Sequence, residues 1–178
     1  MAEIDVLFVA GANDYALSVL EEKARRELGL STVIVRHSTG IDSVVQEKMD
    51  PNVAFIHLSS QVITDGEIDQ RKDIVSLAGH YLPPTTRRVI VAAAGHTAQE
   101  AKRMAILLGG DLIVAEADFA RDRELLSKII SRGRATPDEI QERFEIIEIS
   151  GQREGQGVWQ ERRHSMRPTD YHDGYFKK

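Results

Sequence analysis

Short apolar runs alternate with longer amphipathic segments five times along this chain of 178 residues. The apolar runs are rich in β-branched residues and have the length of strands, and the segments between them repeat apolar side chains at helical spacing. Strands that are joined through helices pair in parallel, because the connection must return the chain to the same end of the sheet. The predicted strands are Ile4–Val9, Thr32–Arg36, Val53–Leu58, Val89–Ala93 and Leu112–Ala115.

Amphipathic helices are predicted after each of these strands. Asn13 or Asp14 is expected to cap the first helix and Gly29 to end it, and Gly109 with Gly110 is expected to end the fourth helix. The pattern predicts an α/β fold, a doubly wound, flavodoxin-like sheet of five parallel strands in the order 2-1-3-4-5. The predicted helices are Asn13–Leu28, Ile41–Lys48, a segment containing residues 68–77, Thr97–Leu108 and Asp122–Ser131.

The last 45 residues differ from this pattern. Thr136 followed by Pro137 predicts an N-cap and a first helical residue, and residues 146–149 could form one more strand. From Gly151 onward the apolar residues become sparse. We therefore divide the chain into an α/β domain at residues 1–133, a helix–strand extension at 134–150 and a basic, aromatic arm at 151–178.

Composition and charge exclude several classes of function. The chain contains no cysteine, which rules out disulfides and thiolate metal sites and suits a cytoplasmic protein. No apolar stretch approaches the roughly 20 residues that span a bilayer, and the N-terminus does not resemble a signal peptide. The net charge is −5, while residues 151–178 alone carry +2. An acidic body does not favour general nucleic-acid binding, so we expect no nucleic-acid or membrane partner.

Several local strings resemble the receiver domain of two-component response regulators. Residues 51–57 are similar to the strand that ends in the phospho-accepting aspartate of that family, and residues 88–94 to its fourth strand. Residues 98–114 resemble its fourth helix and fifth strand, and Asp65 with Gly66 resembles the start of its third helix, one residue out of register. The resemblance covers about residues 3–131 and implies the receiver fold.

The functional positions that the resemblance implies carry other residue types here. The paired acids that bind Mg²⁺ fall on Ala10 and Gly11, and the phospho-acceptor falls on His57. The switch hydroxyl falls on Ala93 and the lysine after the fifth strand on Glu116. Because no carboxylate remains to bind the metal or accept phosphate, the resemblance implies a degenerate receiver that has lost its phosphorylation chemistry.

His57 and Glu116 suggest one sharper hypothesis. If an aspartate and a lysine have been replaced by an imidazole and a carboxylate at the same two strand ends, the carboxylate would favour the imidazolium and raise the histidine pKa. A histidine that is solvated or bonded elsewhere is the interpretation that we favour.

The carboxyl edge of the predicted sheet is the second place to look for a site. Residues 11–14 follow the first strand, where doubly wound folds bind phosphate, although neither a dinucleotide-binding fingerprint nor a P-loop is present. The histidines lack metal-ligand spacing, so we predict no metal and no cofactor, and no catalytic residue can be nominated. The possible ligand-binding residues at this edge are Asn13, Asp14, Ser59 and His96.

The C-terminal arm combines arginines with aromatic residues, a composition typical of protein interfaces and also of single-stranded nucleic-acid platforms. A protein interface is the interpretation that we favour. The arm residues that we expect to make contacts are Trp159, Arg162, Arg163, Arg167, Tyr171, Tyr175 and Phe176.

Two classes of function remain open from the sequence. In the first, the chain is a non-catalytic interaction or assembly module whose arm docks on a neighbouring subunit or on another protein. In the second, it is a regulator that binds a small molecule such as a phosphate or nucleotide, or an enzyme, with its site at the carboxyl edge of the sheet.

Overall fold

The computed structural model describes residues 3–10, 15–36, 44, 47–58, 82–93 and 98–143. Within these residues, five strands form one parallel sheet in the order β2-β1-β3-β4-β5. This order confirms the predicted doubly wound α/β fold. The strands are β1 (Glu3–Ala10), β2 (Thr32–Arg36), β3 (Asp50–Leu58), β4 (Arg87–Ala92) and β5 (Leu112–Ala115).

Five helices are described around this sheet. Among the described residues, none of them combines the length and the apolarity that crossing a bilayer requires. The helices are α1 (Ala16–Glu27), α2 (Ala98–Leu107), α3 (Glu116–Arg121), α4 (Leu125–Ser131) and α5 (residues 137–143).

The helix boundaries correct two predictions. Helix α1 has Tyr15 at its N-cap, so the predicted cap at Asn13 or Asp14 is wrong, and those two residues lie outside the described part of the chain. The fifth predicted helix, residues 122–131, corresponds to α4 and begins only at Leu125, whereas α3, which precedes it, was not predicted. The chain turns into α3 directly at the end of β5, because the Asp118 carboxylate accepts a hydrogen bond from the Ala115 backbone N–H at 3.3 Å.

The predicted helix ends after α1 and α2 are confirmed. Gly29 and Gly109 have φ angles of +65° and +61°, a left-handed conformation that only glycine adopts without strain. Lys48 also has a positive φ, of 47°, so the predicted helix at residues 41–48 ends before it. The rest of that helix, the helix around residues 68–77, the strand at 146–149 and the arm lie outside the described residues.

Both faces of the sheet are covered by apolar side chains, as a parallel sheet requires. On one face, β-strand residues such as Leu7, Ile56 and Ile90 pack with Ala101 and Ala105 of α2. The opposite face packs against α1 and α4. The residues buried there include Phe8, Phe55, Val91, Leu17, Leu20, Leu126 and Ile129.

Aromatic contacts connect the strands to α3 on the face that α1 and α4 cover. The rings of Phe8 and Phe55 stack with their centroids 5.2 Å apart, and Phe119 approaches the Phe55 ring edge-on at 6.2 Å. Phe119 therefore fixes α3 above β3, which places the first residue of α3 near the end of that strand.

Candidate functional site

The carboxyl edge of the sheet is where β1, β3, β4 and β5 end side by side. Ala10 is the last residue of β1, and Ala93 directly follows β4. Leu58 of β3 pairs with Ala92, which pairs in turn with Ala115 of β5. The ends of the central strands therefore carry mostly methyl-sized side chains, and this leaves room for a contact between β3 and β5 across the end of β4.

His57 and Glu116 make that contact. The Nε2 atom of His57 lies 2.9 Å from a carboxylate oxygen of Glu116. The His57 side chain is buried, with 7% exposed, whereas 39% of the Glu116 side chain remains exposed. The His57–Glu116 contact therefore forms, and the favoured interpretation of a solvated histidine is wrong.

The His57–Glu116 pair can take part in proton transfer and in electrostatic interactions. The carboxylate orients the imidazole ring and can share the proton at Nε2, as in many histidine–carboxylate pairs. A hard cation such as Mg²⁺ needs several oxygen ligands, and Glu116 supplies one of them. Among the described residues, no group of three or more histidine or acidic side chains could hold a metal ion.

Asp118 is the second acidic residue at this edge, and it has a structural role. Its side chain is 4% exposed and lies 3.9 Å from a guanidinium nitrogen of Arg121. Together with the hydrogen bond from Ala115, this contact orients Asp118 toward its own helix. Asp118 therefore supports the start of α3, on which Glu116 lies.

Only part of the predicted edge falls within the described residues. Ala10, His57, Ala93 and Glu116 lie at the carboxyl ends of β1, β3, β4 and β5, as the sequence pattern predicts. The other predicted edge residues and the arm lie outside the described part of the chain and stay predictions. These are Gly11, Asn13, Asp14, Ser59, His96, Trp159, Arg162, Arg163, Arg167, Tyr171, Tyr175 and Phe176.

The opposite, amino edge of the sheet carries a buried charged network that the sequence analysis missed. We call it the amino-edge cluster and define it as Arg87, Arg88, Asp111, Glu139 and Arg143. Arg143 of α5 donates hydrogen bonds to both carboxylate oxygens of Asp111, at 2.7 and 2.8 Å, and both side chains are about 5% exposed or less. Burial raises the pKa of Asp111, and the neighbouring Arg143 opposes that effect.

Arg87 makes the second ion pair of the amino-edge cluster. Its two terminal nitrogens each lie 3.0 Å from a carboxylate oxygen of Glu139, and its Nε donates to the Gly133 carbonyl at 2.8 Å. Partial burial raises the pKa of Glu139, but hydrogen bonds from Arg87 and from the Thr136 backbone N–H outweigh it and lower the pKa to about 2.

Arg88 is the third arginine of the cluster, and it has no carboxylate of its own among the described residues. Its guanidinium donates to the backbone carbonyl of Leu108 at 3.0 Å, and its own backbone N–H donates to Asp111 at 2.8 Å. Burial and the like charge of Arg143 lower the pKa of Arg88 to about 10, although Asp111 opposes them. The cation therefore persists at neutral pH inside the protein.

The amino-edge cluster attaches the segment after α4 to the sheet. Thr136 caps α5 as predicted, because its hydroxyl accepts from the Glu139 N–H at 3.3 Å while its own N–H donates to the Glu139 carboxylate at 2.8 Å. Arg134 pairs with Asp50 at 2.7 Å. The adjacent arginines at the start of β4 were the feature of the sequence that could have indicated this cluster. No local pattern, however, identifies the residues that they contact.

The outer face of α1 is the third notable surface. Tyr15 and Val19 are large apolar residues that are 84% and 61% exposed. Beside them, a groove of about 520 Å³ runs between α1 and the α3–α4 segment. Its apolar walls include Ala16, Val19, Leu20, Phe119, Ala120 and Leu126.

Comparison of the whole chain with protein-family models, with curated proteins and with solved structures found no match.

Proposed function

We propose that this chain is a non-catalytic, receiver-like interaction module that assembles with copies of itself or with another protein. The observation that carries the proposal is the contact between His57 and Glu116 at 2.9 Å. It occupies the two strand ends at which the receiver resemblance implies a phospho-accepting aspartate and a lysine. An imidazole cannot form an acyl phosphate, and the Glu116 carboxylate repels a phosphate dianion.

The exposed apolar surface on α1 supports the interaction part of the proposal. Isolated exposed apolar residues are common, but Tyr15 and Val19 lie beside a groove whose walls are also apolar. Buried interface centres are enriched in aromatic and aliphatic residues and depleted in charge. We include in this proposal a cytoplasmic location, which the cysteine-free sequence favours, and a second contact through the arm at residues 151–178.

Light scattering of the full chain and of a chain ending at residue 150 tests the proposed assembly. The shorter chain keeps every described residue, so its fold can be checked by circular dichroism. We expect the full chain to form an oligomer with a dissociation constant in the micromolar range or below, and the shorter chain to associate more weakly. Monomers of both chains, combined with no protein partner recovered from cells that express the full chain, would contradict the proposal.

A small-molecule regulator is the second candidate function, and the position of the His57–Glu116 pair in the sheet, although not its charge, favours it. The pair lies at the carboxyl edge, where doubly wound sheets bind ligands. A thermal-shift screen with nucleotides and inorganic phosphate tests it, because a ligand that binds only the native state raises the melting temperature. A rise that is lost in His57→Asn would support the regulator over the inert module.

A further inference from the structure

We infer that the outer face of α1 and the adjoining groove form the contact between two copies of this chain. This inference rests on the proposed function and adds to it the surface and the partner. We define the α1 face as Tyr15, Val19 and the groove between α1 and the α3–α4 segment.

The α1 face combines a protrusion and a recess. The inner side of α1 buries Leu17, Leu20 and Ala24 against the sheet, whereas Tyr15 and Val19 extend from its outer side. Phe119 and Leu126 line the recess next to them. In the single chain, this apolar surface is exposed to water. A partner with a matching surface would bury it, which is favourable for binding.

A second copy of the chain matches this surface by symmetry. When a protrusion and a recess lie next to each other on one face, a twofold axis between them inserts each protrusion into the recess of the other copy. An axis near Val19 makes the two α1 helices antiparallel. In that arrangement, Tyr15 of one copy faces Lys23 of the other, and the aromatic ring can pack on the lysine side chain.

The charges along the groove agree with the antiparallel arrangement. Ala16 begins α1 and Glu116 begins α3, so the carboxylate of Glu116 marks the end of the groove at the carboxyl edge. Lys23 and Arg123 line the groove about two helical turns farther along α1, and Lys23 donates a hydrogen bond to the Arg123 carbonyl.

Both carboxylates of the groove have a partner: Asp122, at the basic end, is 3.0 Å from the ammonium group of Lys128, and Glu116 contacts His57 but keeps 39% of its side chain exposed. A twofold axis brings the basic end of each copy against the Glu116 end of the other. Parallel α1 helices would instead place like charges together, so the charges of the groove are complementary to those of a second copy in the antiparallel orientation.

Sedimentation equilibrium of the full chain with Val19→Asp tests this inference. The substitution places one carboxylate from each copy at the axis, and we expect it to weaken dimerisation by at least about 100-fold. Val19 is 61% exposed, so the fold should persist, which circular dichroism checks. Gln99→Asp is the matched control, since Gln99 is exposed on α2, which covers the other face of the sheet.

Disulfide cross-linking tests whether the two Val19 side chains lie close together in the dimer, a result that loss of stability alone would not produce. The chain has no cysteine, so Val19→Cys introduces a single thiol at the proposed axis. We expect mild oxidation to convert Val19→Cys to a disulfide-linked dimer much faster than Gln99→Cys.

The outcomes separate this inference from the proposed function. An oligomer that Val19→Asp leaves intact, with no preferential cross-linking of Val19→Cys, overturns the α1 face as the contact but leaves the assembly module in place. A full chain that is monomeric at every concentration tested overturns the inference as well, and the proposed function then depends on recovery of a different protein.

Discussion

At the amino edge of the sheet, Arg143 and Asp111 form an ion pair whose side chains are 4% and 5% exposed, whereas at the carboxyl edge Glu116 keeps 39% of its side chain exposed beside His57. A buried ion pair stabilises a fold only while both partners are present, because either one alone is a buried charge. A partly exposed pair is screened by water and costs little to lose. The two edges therefore differ in how strongly the stability of the fold depends on their charges, which we expect to be much at the amino edge and little at the carboxyl edge.

The largest effect that we expect comes from Asp111→Ala. It leaves Arg143 without its carboxylate and removes the acceptor for the Arg88 backbone N–H, so the free energy of unfolding should fall by about 3–5 kcal/mol. Urea unfolding of the wild type and the variant measures this loss of stability, provided that the slope of the free energy against urea concentration is the same for both. Adding Arg143→Met should recover part of the loss, since it removes the unpaired charge. A loss below about 1 kcal/mol would show that the amino-edge cluster does not stabilise the fold.

A smaller, pH-dependent effect is expected from Glu139→Gln. The folded-state pKa of Glu139, about 2, lies below its ordinary value of 4.5, so the carboxylate stabilises the fold fully above pH 4.5. That contribution is lost as the pH falls from about 4.5 toward about 2. The stability difference between wild type and Glu139→Gln should therefore be largest at neutral pH and should close over that range.

Unfolding free energies measured by urea at a series of pH values give this comparison. Glu124→Gln is the control, because the Glu124 side chain is 78% exposed and should follow the wild type. If the difference in unfolding free energy between wild type and Glu139→Gln stayed constant down to pH 2, it would contradict the role of the Arg87–Glu139 pair.

The smallest effect is expected at the carboxyl edge, from Glu116→Gln. The substitution keeps the shape of the side chain and removes a charge that is partly exposed, so the free energy of unfolding should change by no more than about 1 kcal/mol. The same urea measurement applies. A loss as large as that of Asp111→Ala would remove the contrast between the two edges.

The fold class could be predicted from the sequence, because the alternation of strands and helices requires a parallel sheet covered on both faces, and 2-1-3-4-5 is a common order for five such strands. The β2 and β5 bounds match the prediction residue for residue, and Gly29 and Gly109 end their helices as expected. The separate helix α3 could not be predicted. Its start depends on the hydrogen bond between Asp118 and Ala115, and its position on the packing of Phe119 against Phe55.

The candidate sites divide in the same way. His57 and Glu116 could be paired from the sequence, because the receiver resemblance places an interacting aspartate and lysine at these positions and parallel strands end at one edge of the sheet. The amino-edge cluster could not be found, because Arg143 reaches Asp111 from a helix that is 32 residues away in sequence. Tertiary packing brings Arg143 close to Asp111, and the local spacing of residues in the sequence gives no information about that packing. The exposure of Val19 likewise depends on how α1 is rotated on the sheet.

Our central proposal is that the carboxyl edge, where His57 contacts Glu116, has no phosphoryl-binding site. Amide proton–nitrogen correlation spectra of the full chain, recorded with Mg²⁺ alone and then with Mg²⁺ and beryllofluoride, test it directly. The account predicts that the signals of residues 57, 58, 93 and 116 keep their positions in both titrations. Saturable shifts of these signals that require Mg²⁺ and beryllofluoride together would contradict the account, because they would show a phosphoryl-binding site at this edge.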